Sequence, residues 1–129
     1  MAIKHQRDYY ASLGDGLEKS DCAVRALSVA GCMSYADAHA VLARHGRLPR
    51  KPTRWNVIRR AMEELFPEVQ FQGLEGTCPL TLARVCEIYP KGNFILFTRR
   101  HAFALCDGVV HDWQPHPRCR IVGFYKLCD

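Results

Sequence analysis

A cysteine at a helix start, a histidine entering a strand and an aspartate on the following strand are the residues of this chain whose types and order could break an acyl bond. Cys22 lies near the start of Ser20-Asp21-Cys22-Ala23-Val24-Arg25-Ala26-Leu27-Ser28-Val29-Ala30-Gly31. N–H groups in the first turn of a helix favour negative charge and can lower a thiol's pKa. His101 and Asp112 lie on either side of Asp107-Gly108, a strong two-residue hairpin signal. An imidazole oriented by a carboxylate is the base half of a nucleophile–base–orienter triad, and Cys22 is the best candidate for the nucleophile. In that scheme His101 takes the thiol proton and later delivers one to the leaving group. Asp112 holds the tautomer and stabilises the imidazolium, and the backbone N–H of Cys22 contributes to an oxyanion hole. Each residue also has a plainer reading: the thiol as a small core residue, His101 and Asp112 as a hydrogen-bonded surface pair.

The turn itself selects the histidine. With Asp107-Gly108 as a two-residue loop, Cys106 faces Val109, Leu105 faces Val110 and Ala104 faces His111. Extending the register puts Phe103 opposite Asp112 and Ala102 opposite Trp113. Side chains alternate faces along a strand, so His101, Phe103 and Leu105 share a face with Val110 and Asp112. His101 and Asp112 are then diagonal cross-strand neighbours, while His111 points the other way. A slip of one residue would undo the pairing.

The elements that must position these groups follow from the hydrophobic pattern. The stretch from Ser20 to Gly31 is apolar nearly all round, as in a buried helix. Ser20 or Asp21 is its expected cap, and Gly31 its expected left-handed stop. Ser34 with Asp37 opens a second helix that Gly46 ends. Arg47 to Pro52 is a basic, Pro-broken loop. Thr53 is expected to cap a third helix carrying Trp55, Ile58, Ala61, Met62 and Leu65, which Pro67 stops. Val69 to Phe71 predicts a short strand, Thr77 to Tyr89 a fourth helix with Pro79 in its first turn, and Pro90-Lys91-Gly92 a turn. Extended segments follow at Asn93–Thr98, His101–Cys106, Val109–Trp113 and Arg120–Leu127. Residues 1–19 read as an irregular or partly helical lead-in, with a turn signal at Leu13-Gly14-Asp15-Gly16. Helices followed by an antiparallel sheet make an α+β domain.

Bulk properties narrow the class. The 129 residues are expected to form a single domain over 1–129, and 48% hydrophobic with 24% charged content is ordinary for a globular chain. No transmembrane run and no apolar signal segment stands in the sequence, so neither a membrane nor export is expected. Seven cysteines is an odd number without a disulfide-type spacing, which points to reduced thiols and the cytoplasm. No cofactor is expected.

The arrangement resembles the papain-like cysteine peptidase superfamily, and in particular its small phage- and bacteria-encoded members. The residues that carry the resemblance are Asp21-Cys22, Arg25-Ala26, Pro90-Lys91-Gly92, His101-Ala102, Asp107-Gly108-Val109-Val110 and Asp112. It implies a papain-like fold whose central helix starts at Cys22, and a Cys–His–Asp triad acting on an amide or peptide bond of a peptide or protein substrate. For a phage-encoded member the setting is the host cytoplasm. The family's oxyanion Gln usually lies a few residues before the Cys. Residues 14–20 hold none, Gly16 stands at that spacing, and Gln6 is the only upstream Gln. Asp21 would oppose thiolate formation unless it caps the helix or pairs with Arg25 at i+4.

Two rival readings use other residues. Arg44 to Arg60 holds seven Lys or Arg and no acid, and Arg47, Arg50, Lys51 and Arg54 are its candidate basic surface. It is either the solvated face of an amphipathic helix or a docking surface. As a docking surface it would let a catalytically weak or inactive phage-type protein bind a host protein, with nucleic acid the less favoured partner because no Gly-rich phosphate loop or aromatic interleaving accompanies it. His111, His116 and Cys119 lie close together and could bind zinc, but no second ligand pair at zinc-like spacing exists, and no metal site is expected.

Overall fold

An apolar run such as Asn93-Phe94-Ile95-Leu96-Phe97 is stable as a strand only if both of its faces are covered. In the computed structural model, which describes residues 4–5, 20–74, 80–112 and 117–128, this run is β4 (Asn93–Phe97), and both faces are covered. Ile95 and Phe97 pack in one apolar cluster with Ala102, Ala104 and Tyr125. Phe94 and Leu96 pack in a second with Phe103, Leu105, Val110 and Phe124. The alternation along each strand divides its side chains between the two layers.

β4 is a central strand of a six-stranded sheet. Its neighbours are β5 (Ala102–Cys106) and β8 (Gly123–Cys128), both antiparallel to it. β6 (Val109–His111) continues the sheet beyond β5, and β1 (Lys4–His5) lies parallel to β6 at that edge. β2 (Gln72–Gly73) closes the other edge against β8. The first cluster joins the sheet to α1 (Cys22–Ala30), α2 (Tyr35–Arg44) and α3 (Trp55–Leu65). The second joins it to α4 (Leu82–Ile88) and to the ribbon of β3 (Leu80–Thr81) with β7 (Arg120–Ile121). The expected α+β class holds, with helices on an antiparallel sheet, although α4 covers the face opposite α1. Phe94, Phe103 and Phe124 are almost wholly buried, each contributing roughly 1.5–3 kcal/mol by burial.

The hairpin adopts the expected register: Cys106 faces Val109, Leu105 faces Val110 and Ala104 faces His111. Asp107 and Gly108 both have positive φ, +47° and +81°, as a two-residue turn matched to strand twist requires. The Asp107 carboxylate accepts from Gly92 N–H at 2.9 Å, which locks the hairpin tip onto the Pro90-Lys91-Gly92 turn.

Several local expectations are corrected. Neither Ser20 nor Asp21 caps α1 with its side chain. Gly31 has a right-handed φ of −84°, and Cys32 takes the left-handed position at +55°. The bonds Met33 N–H to Ser28 O and Cys32 N–H to Val29 O place the left-handed residue one step beyond the glycine. Gly31 is instead small because a Cβ there would come within 2.6 Å of the Leu27 carbonyl. Ser34 does cap α2, accepting from Asp37 N–H at 3.0 Å, and Gly46 is left-handed at +117°. Arg54, not Thr53, occupies the cap position of α3. The short strand lies at Gln72–Gly73 rather than 69–71. The fourth helix is only Leu82–Ile88, capped by Thr81, because Leu80–Thr81 pairs with Arg120–Ile121. That pairing also cuts the last strand in two, and Val122 between the pieces bonds to Phe97 and Leu74.

Candidate active site

α1 packs along β5, so its first residue meets the end of the strand that His101 precedes. Cys22, the first residue of α1, is half-buried. His101 hydrogen-bonds to its thiol, and the N–H groups of Ala102 and Ala23 also point to the sulfur. On the other side of the imidazole, His101 Nε2 lies 2.9 Å from Asp112 Oδ1. Nε2 is thus taken by the carboxylate, leaving Nδ1 for the sulfur. Asp112 is buried and follows β6 directly. The hairpin register, which the Asp107-Gly108 turn sets, therefore brings Asp112 to His101.

Two opposed shifts polarise this pair. Burial alone would raise the Cys22 thiol, but the hydrogen bonds from His101, Ala102 N–H and Ala23 N–H, with the charge on His101, outweigh it and hold the thiol below its ordinary value. The hydrogen bonds to Asp112 and Cys22 push the His101 imidazole up to about 10, against burial. Each shift favours the charged form, so the pair is biased toward thiolate and imidazolium.

The carboxylate beside the thiol is neutralised within the helix. Buried Asp21 accepts from Arg25 Nε at 2.9 Å and from the Tyr35 hydroxyl at 2.8 Å. The Arg25 pair is the one the i+4 spacing offers; Tyr35, from α2, is an addition that spacing does not reveal. Ser20, just before, has a left-handed φ of +61°.

Arg47 is a correction. The charge pattern places it on the basic surface, but it is 4% exposed, and its guanidinium reaches the Ser20 carbonyl at 3.5 Å. Its N–H bonds to Leu42 O as the chain turns back after Gly46, which folds the side chain under the start of α1. Arg50, Lys51 and Arg54 are exposed as expected, while Arg44 is paired with Glu64. Gln6 and His116 lie outside the described residues.

A cleft of about 930 Å³ opens at the thiol. One wall is aromatic: Trp55 stands edge-on to Phe71 and Phe97, with ring centroids 4.6 and 5.4 Å away. Thr98-Arg99-Arg100-His101, which follows Phe97 directly, also lines the cleft. Nothing in the sequence marks Trp55, Phe71, Phe97, Arg99 or Arg100 as functional. Trp55 falls on the apolar stripe of an amphipathic helix, where an aromatic reads as core, yet it is 43% exposed. Phe71 reaches the cleft because Gly123 leaves room for its ring; a Cβ at Gly123 would lie 2.1 Å from it.

No family model, curated protein or solved structure matches the chain. Among the described residues, no helix is long and apolar enough to cross a membrane.

Proposed function

We propose that this protein is a thiol hydrolase of papain-like layout, acting on an amide or peptide bond through Cys22, His101 and Asp112. The observation that carries the reading is the imidazole of His101, bonded to the carboxylate of Asp112 on one side and to the thiol of Cys22 on the other, at the edge of an open cleft. A helix-borne thiol facing a strand-borne imidazole is the arrangement that the resemblance to small phage- and bacteria-encoded papain-like peptidases implies.

The chemistry follows from the geometry. The Cys22 thiolate attacks the acyl carbon, a C–S bond forms, and negative charge moves to the carbonyl oxygen. The backbone N–H of Cys22 lies in the first turn of α1, where N–H groups lack partners within the helix, and it donates to that oxyanion. The C–N bond then breaks as His101 gives its proton to the leaving nitrogen. Water attacks the thioester, His101 takes the water's proton, and the acid leaves as the thiolate is regenerated. Asp112 keeps the ring oriented and stabilises its charged form.

Incubation with p-nitrophenyl acetate tests this. The expected result is an acetyl group on the Cys22 peptide by mass spectrometry, released over time, with acetylation strongly slowed by His101→Ala. Acetyl transfer to all cysteines alike, indifferent to His101→Ala, contradicts it.

A further inference from the structure

Arg99 and Arg100 fill the short turn between β4 and the catalytic imidazole, and both side chains are exposed along the cleft. The turn is held by Thr98 N–H to His101 O at 2.8 Å and by Arg100 N–H to Thr98 Oγ1 at 3.4 Å. The two guanidinium groups therefore hang from fixed backbone next to the base. Neither has an ion-pair partner among the described residues, whereas Arg25, Arg44 and Arg84 are each paired with a carboxylate. The Pro52–Thr53 segment, which also lines the cleft, is flanked by exposed Lys51 and Arg54, also without ion-pair partners among the described residues. No Asp or Glu is among the described residues lining the cleft. A cleft with low-dielectric walls and one sign of charge concentrates ligands of the opposite sign.

We propose that the cleft selects acyl substrates bearing a carboxylate near the scissile bond, read by Arg99 and Arg100. The inference rests on the thiol-hydrolase reading and adds its substrate class. The anion is assigned to a peptide because the thiol needs an acyl carbon, which a nucleic-acid backbone does not offer. Guanidinium suits such a role, since its planar fork matches a carboxylate with two parallel hydrogen bonds. Being exposed, the two arginines supply together a preference of about threefold to tenfold. The carboxylate can come from an acidic side chain or from a free C-terminus.

The test uses the reduced protein and two alkylators that transfer nearly the same group to sulfur, forming a C–S bond and releasing iodide. Iodoacetate is anionic and iodoacetamide neutral, so their rate ratio at Cys22, taken against the ratio for glutathione, reads the field at the thiol. His101 contributes to that field; comparison with Arg99→Gln/Arg100→Gln isolates the arginines. The expected result is a ratio above that of glutathione that falls about threefold or more in the double variant and in high salt. A ratio unmoved by the substitutions overturns the carboxylate inference and leaves the hydrolase reading standing. An iodoacetamide rate at Cys22 no faster than at the other cysteines takes both down. Matched internally quenched peptides then identify the source. Faster cleavage with Glu than Gln supports a side-chain carboxylate, and faster cleavage of a free acid than its amide supports a terminal one. No preference in either pair overturns the proposal, as does protection of Cys22 by duplex DNA with none from acidic peptides.

Discussion

His101 holds Asp112 at 2.9 Å through Nε2 while the same ring contacts the thiol of Cys22. One imidazole thus joins a helix start to a hairpin far along the chain, and its bond to Asp112 is the largest of the influences that keep it protonated to about pH 10. The lowered thiol and the raised imidazole act in the same direction. Between their two titrations the pair holds a thiolate and an imidazolium together, and the proposed hydrolysis is expected to fall at high pH as His101 loses its proton.

Replacing Asp112 by Asn tests the carboxylate's share. The amide keeps the shape but removes the charge that raises His101, so the alkaline limb of the kcat profile moves to lower pH. A fall in kcat of about 100-fold or more accompanies it, since the ring loses both its preferred tautomer and the stabilisation of its charged form. A profile superimposable on that of the parent protein contradicts the role given to Asp112.

Arg25→Ala strands the buried Asp21 carboxylate, leaving it the Tyr35 hydroxyl. Loss of one partner of a largely buried pair costs about 1–3 kcal/mol here, below the cost for a fully buried pair because Arg25 remains partly exposed. Urea unfolding measures it. The uncompensated negative charge beside the thiol also moves the acid limb of Cys22 alkylation to higher pH. Unchanged stability together with an unchanged limb means that the ion pair does not serve the thiol.

Much of this site is legible in the sequence because one turn determines it. Asp107-Gly108 requires two positive φ values, which sets the register and hence which histidine meets Asp112. The same logic fails where a partner lies far away in the chain. Nothing near Leu80 announces its pairing with Ile121, so a short strand and a short helix read as one long helix. Arg47 reads as surface because charge patterns do not show that the turn after Gly46 aims it beneath Ser20. Trp55 reads as core and Phe71 as the end of a short strand because a cleft wall and a core have the same apolar pattern; only packing around an opening tells them apart, and Phe97 belongs to both.

Gly123→Ala probes that wall. The added methyl overlaps the Phe71 ring, which Trp55, Phe97 and Tyr125 hold on its other sides, so the ring is forced to move and stability falls by about 1–3 kcal/mol. The ring's departure from Trp55 shows as a red shift in emission, read in a Trp113→Phe background. An unshifted spectrum contradicts the close Trp55–Phe71 contact.

The pH dependence of iodoacetamide labelling, followed cysteine by cysteine, tests the Cys22–His101 pair most directly. Cys22 is expected to react at mildly acidic pH, before Cys32, Cys86, Cys106 and Cys119. In His101→Ala its titration moves up, since burial is then opposed only by the Ala102 and Ala23 N–H groups, the hydrogen bond and charge of His101 being gone. Uniform labelling of all the cysteines near the ordinary thiol pKa of about 8.5, unchanged by His101→Ala, contradicts the account.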